Sequence, residues 1–128
     1  MTLPKPQASK EIDLRTMFAE SEAWDQRAKE SQAKAAQAFA RLLEIAETSH
    51  AGQAGRVAQF LASTFNGRAY PYDLFDLRSF DIAISDDMLA CLDALRWAKA
   101  DLFDLVPEGQ KRVQSVVKAW GIESAPTD

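Results

Sequence analysis

Cys91 is the only cysteine and His50 the only histidine among 128 residues. One cysteine excludes an internal disulfide and a cysteine-clustered zinc site, and it fits a reducing cytoplasm. No apolar run approaches the roughly 18 residues that cross a bilayer. Residues 1–10 lack the apolar core of a signal peptide. Also missing is a basic footprint. Residues 1–66 hold eight basic and eight acidic side chains, whereas residues 67–128 hold seven basic and eleven acidic, which accounts for the net charge of -4. Between 73 and 108 nine acids face only Arg78, Arg96 and Lys99. Nucleic-acid affinity rests largely on phosphate neutralisation, so direct binding through this half is disfavoured and a basic protein partner fits better.

Glycine and proline number five each, and neither occurs between about Lys10 and Ser49. Alanine is abundant there, which predicts a long helix. Leu14, Ser21, Ala28, Ala35 and Leu42 hold one seam position; Met17, Trp24, Ser31, Ala38 and Ile45 hold the other. This 3-4 spacing is that of a coiled coil or long bundle helix. Ser21, preceded by Phe18, offers an N-cap at which the segment could divide in two. After the turn at 50–55, Val57, Phe60, Leu61, Thr64 and Phe65 mark a second helix over about 54–65, with Asn66-Gly67 as a left-handed stop. Ser85 or Asp86 is placed to cap a third over about 86–103, with Met88, Cys91, Leu92, Leu95, Ala98 and Leu102 as its stripe. Val113, Val116, Val117 and Trp120 define a fourth over about 109–120, closed by Gly121.

The expected fold is all-α: a long N-terminal helix packed on three shorter helices, with an ordered acidic connection between the second and third. Its limits are a flexible tail over 1–9, a single helical domain over 10–122 and a flexible tail over 123–128. Within the connection, Asp76 is placed to cap a short turn through Phe80, and Phe80 to Ile84 also reads as a short strand by its period of two. Asp73, Asp76, Arg78 and Asp81 form a structural loop in which Arg56, Arg68 and Arg78 neutralise the aspartates.

Catalytic chemistry finds few parts. His50 sits in a glycine-rich turn with no positioned partner. Cys91 lies on an apolar stripe with no cation placed to activate it. The aspartates lack the spacing of a calcium-binding loop, and Gly52-Gln53-Ala54-Gly55 is too short for a phosphate loop. No catalytic residue, metal ligand or cofactor is assigned. Trp24 and Trp120 fall on apolar stripes and are expected in the core. Trp97 falls off the main stripe between Asp93 and Asp101, either covered by a neighbouring element or exposed as a binding anchor.

Phe60-Leu61, Asn66, Tyr72-Asp73-Leu74, Asp76-Leu77, Asp81, Ile84, Asp86-Asp87-Met88-Leu89, Val116-Val117 and Trp120 together resemble a family of small uncharacterised proteobacterial proteins. Its members are often carried on plasmids and integrative conjugative elements. The resemblance covers about 57–120 and leaves the long N-terminal helix outside. It implies a bacterial cytoplasm and a mobile element, and it brings no catalytic residue.

The functional expectation is a non-enzymatic interaction protein that engages a basic host protein as an inhibitor or adaptor. Asp86, Asp87, Asp93, Trp97 and Asp101 would form its contact surface, and the long helix would pair with a second copy. Two alternatives remain. One is a DNA-associated accessory factor using Arg27, Lys34 and Arg41, which recur every seven residues on the first helix. The other is a metal-dependent enzyme using the aspartate cluster.

Overall fold

The computed structural model describes residues 10–126, with side chains from residue 13 onward. The expected tail over 1–9 and the last two residues lie outside that range. The described residues form four α-helices: α1 (Lys10–Thr48), α2 (Ala54–Phe65), α3 (Ile82–Leu95) and α4 (Gly109–Ala119). Two 3-10 segments, Leu74–Ser79 and Leu102–Leu105, lie in the connections. Among the described residues there is no strand.

The first helix is continuous, so Ser21 does not divide it. Its alanine-rich seam packs on α3 over residues 28–46, where Ala28, Ser31, Ala35, Ala38, Phe39, Leu42, Leu43 and Ala46 are buried. The two helices run antiparallel. Asp25 meets Lys99, Ser31 meets Asp93, and Arg41 meets Asp87. Small seam residues bring α3 close, and Ala94 is buried on the facing side. Phe39, Phe60, Leu61, Met88, Leu102 and Val113 then fill the core among all four helices.

Three boundaries differ from expectation. Helix α3 starts at Ile82 and not at Asp86, so Phe80 to Ile84 is no strand. Asp81 precedes the helix without a side-chain cap, and the Ser85 hydroxyl turns back to the Ile82 carbonyl. Asp86 and Asp87 therefore lie in the second turn, away from the first four amides, where a helix end favours acids most. The same helix ends at Leu95, because Ala98 takes a left-handed φ of 53°. At the end of α2 the chain is extended at Asn66, with φ -154°. There is no left-handed residue at that stop. The Asn66 side chain instead accepts from the amides of Arg68 and Ala69, the local bonding that makes Asn a loop former.

Cross-links fasten the ends. Trp120 Nε1 donates to the Ala46 carbonyl at 2.8 Å, serving one of the carbonyls that the end of α1 leaves unpaired. Arg112 pairs with Glu47 through two bonds of 2.9 and 2.6 Å. The Asp81 amide donates to Gln53 Oε1, which ties the start of α3 to the start of α2.

Candidate interaction surfaces

The acidic connection is ordered, though not by its arginines. Asp73 caps the first 3-10 segment by accepting from the Phe75 amide at 2.9 Å, the role expected of Asp76. Arg78 lies over the Phe75 ring at 5.0 Å, and Arg56 over Phe80 at 5.2 Å. Among the described residues, no ion pair joins these arginines to Asp73, Asp76 or Asp81. These cation–π contacts place one guanidinium on an exposed ring, Phe75, and the other on a buried one, Phe80.

The aspartates of the proposed contact surface fall in separate places. Asp86 and Asp87 line an open groove of ≈ 710 Å³ between α1 and α3, together with Arg41, Glu44, Ile45, Thr48, Ala83 and Ile84. Arg41 donates to both Asp87 carboxylate oxygens along one guanidinium edge, from Nη2 at 2.8 Å and from Nε at 3.0 Å. Asp86 and Glu44 remain exposed on the rim, above a floor formed by Ile45 and Ile84. Next to this groove in sequence, Ile82 is 75% exposed, and Leu89 one heptad on is 53% exposed. Single exposed apolar residues are ordinary. A helix that leaves both Ile82 and Leu89 in water around a free carboxylate has an amphipathic outer side.

Asp93 and Trp97 lie at the other end of α3, where α1 leaves the body. Trp24 and Trp97 rings are 6.0 Å apart and tilted by 43°. The Arg27 guanidinium lies 5.1 Å from Trp24 and 5.4 Å from Trp97, and Arg96 lies 4.9 Å from Trp97. Trp97 is thus half-covered by Trp24 and two arginines, and its Nε1 is buried without a hydrogen-bond partner among the described residues. Trp24 is not core: half of its surface is open. Periodicity assigned it to the seam correctly, but the body that covers the seam ends just before it. Asp101 precedes the second 3-10 segment, exposed and making no cap bond.

Ser31 explains how Asp93 is held. The buried hydroxyl donates to Asp93 Oδ2 at 2.8 Å, and Arg96 donates to Oδ1 at 2.7 Å. The Ser31 bond, followed by Arg96, holds the carboxyl below its ordinary range against the opposing effect of burial. A depressed carboxyl stabilises the fold above its unfolded pKa, and that stability is lost as pH falls through the folded value. Ser31→Ala should therefore raise the Asp93 pKa in a carboxyl NMR titration and cost about 1 kcal/mol of stability at neutral pH. An unmoved Asp93 titration would show that the Ser31 bond does not set it.

His50 lines a smaller pocket with Glu47, Ser115 and Trp120. Cys91 is fully buried, and desolvation, then the neighbouring Asp87 charge, pushes its thiol up to about 12. Among the described residues no three of His, Cys, Asp and Glu gather as metal ligands. Among those residues no helix is long and apolar enough to cross a membrane.

A family model for DUF7673, a family of unknown function, matches residues 36–121. The match takes in all of α2, α3 and α4. The chain belongs to this family. The shared region also includes residues 36–48 of α1, which carry part of its packing on α3 and its bonds to α4, so the long helix is not wholly outside it. Residues 10–35 precede the match. No curated protein and no solved structure matches the chain.

The charge pattern missed by sequence reading is internal. Arg27, Lys34 and Arg41 recur on one edge of α1 as a basic stripe, and Lys34 is exposed; the other two are engaged. Arg41 takes Asp87 of the acidic third helix, and Arg27 lies against the two tryptophans. The seven-residue recurrence held the signal, because it follows the same heptad as the seam that packs on α3.

Proposed function

We propose that this protein is a non-enzymatic interaction module that engages a basic partner through the groove between α1 and α3. The observation that carries the reading is the combination of an apolar floor, Ile45 and Ile84, with exposed carboxylates at Glu44 and Asp86 on its rim. A partner of matching chemistry offers an aliphatic side chain for the floor and lysine or arginine for the rim. Rim charges govern encounter rate and salt dependence more than the final affinity, so the complex should weaken as ionic strength rises. In the setting that the family resemblance implies, the module is an adaptor or inhibitor carried by a mobile element. It acts in a bacterial cytoplasm on a basic host protein.

The partial commitment of Arg27 and Arg41 to internal contacts favours this reading over DNA association through α1. The free end of α1, beyond the body, is a second surface available for self-association.

The test uses the full chain with Glu44→Lys and Asp86→Lys together. Both side chains are exposed, so the melting temperature should stay within about 2 °C of the parent, as expected for surface changes of roughly 0.5 kcal/mol. Capture of the partner from cells of the encoding organism should fall at least tenfold. Full capture by a normally folded double variant contradicts the groove as the docking site.

A further inference from the structure

Every residue of α1 from Asp13 to Arg27 is exposed, and burial begins at Ala28. That stretch of 15 residues extends roughly 22 Å at 1.5 Å per residue. It is not a polar extension. Leu14 is 61% exposed, Phe18 is 72% exposed, and Met17 and half of Trp24 are also open. Positions 14, 17, 21 and 24 keep the 3-4 spacing of the buried positions 28, 31, 35, 38 and 42. Among the described residues, the stripe that forms the core over 28–46 therefore runs on past the body, with only Trp24 partly covered.

From this continuity we infer that the free half of α1 pairs antiparallel with the same segment of a second copy. The inference rests on reading the chain as an interaction module, and it assigns this second surface its occupant. An antiparallel pair places one seam position opposite the other. Leu14 then meets the open half of the partner's Trp24, Met17 meets the partner's Ser21, and the two Phe18 side chains approach across the axis.

The charges support this direction. On one edge of the stripe lie Asp13, Glu20 and Arg27. The antiparallel register puts Asp13 beside the partner's Arg27, twice by symmetry. On that edge Glu20 approaches its own copy near the axis, one like-charge contact against the two opposite-charge ones. A parallel pair has no such match, because it sets Glu20 against the partner's Asp25 and loses the Asp13–Arg27 contacts. A closed two-fold pair is also the commonest assembly of identical chains.

The experiment is sedimentation equilibrium of the full chain over one to one hundred micromolar. The expected mass is twice the 14.2 kDa of one chain. Phe18→Glu should give a single-chain mass with unchanged helicity. Asp13→Arg should weaken the pair about tenfold by replacing two attractive contacts with repulsive ones. Asp13→Arg combined with Arg27→Asp should recover most of that loss. A single-chain mass for the parent at every concentration overturns the inference, as does a dimer indifferent to Phe18→Glu. No recovery in the double variant overturns the antiparallel register. None of these outcomes bears on the groove: a single chain that still loses its partner on Glu44→Lys with Asp86→Lys leaves the module reading intact.

Discussion

Replacing Gly109 by alanine should lower the stability of this protein by about 3 kcal/mol, the upper range for overpacking a rigid site. Gly109 is buried at the first position of α4. A β-carbon there would collide with the Phe103 carbonyl and the Val106 side chain. The Phe103 carbonyl belongs to the 3-10 segment Leu102–Leu105, and the Phe103 ring is packed 5.5 Å from Phe65. Backbone held at both ends cannot retreat as a flexible side chain would. Neighbouring Glu108 provides the contrast, because it is the residue in left-handed conformation, with φ 58°. Glu108→Gly removes a steric cost of roughly 1–2 kcal/mol, less the extra freedom it gives the unfolded chain. Urea unfolding should therefore place the two glycine-related variants on opposite sides of the parent. A Gly109→Ala loss below 1 kcal/mol would mean that the connection can move away.

Stability should also fall steeply above pH 9. Burial raises the Cys91 thiol from 9.0 to about 12, with Asp87 adding to the effect. Burial, then Asp76, raises the Tyr72 phenol from 10.0 to about 12, and its hydroxyl is buried without a hydrogen-bond partner among the described residues. Both groups keep their protons in the fold at pH values where the unfolded chain gives them up. Their contribution is complete below the unfolded pKa and disappears as pH rises toward the folded value. For Cys91 a three-unit span corresponds to on the order of 4 kcal/mol. Tyr72 adds less, since part of the side chain reaches water. Cys91→Ala should cost stability at pH 7 by opening a small cavity, yet flatten the decline between pH 9 and 11. An equally steep decline in that variant would assign the alkaline limb to other groups.

Much of the architecture could be read before the structure because burial and periodicity coincide. The stripes around Val57 and Phe60, and around Val113 and Val116, lie on α2 and α4 within a residue or so of the expected ends. Gly121 closes α4 with φ 62°. The failures have physical causes. Ala98 gives no sign in sequence of adopting a left-handed φ, so α3 was extended through it. Ile82 to Ile84 alternate like a strand because Ile82 is exposed and Ile84 only partly covered, which breaks the helical stripe in the first turn. Trp24 was assigned to the core because a heptad shows which face is apolar, not where the packing partner ends. The candidate surface was legible at Asp86, while Glu44 and Ile45 joined it only through the approach of α1. Nothing in the spacing of Asp93 showed that buried Ser31 would bind it.

Direct contact between a partner and the groove between α1 and α3 is tested by placing a photo-activated cross-linking residue at Ala83, an exposed position on the groove wall. Gln110, exposed on α4, carries the same residue as the control. Irradiated cells of the encoding organism should yield one discrete adduct from position 83, with a basic protein in it, and none from position 110. Adducts of equal yield from both positions, or none from position 83 in a normally folded variant, would contradict the account.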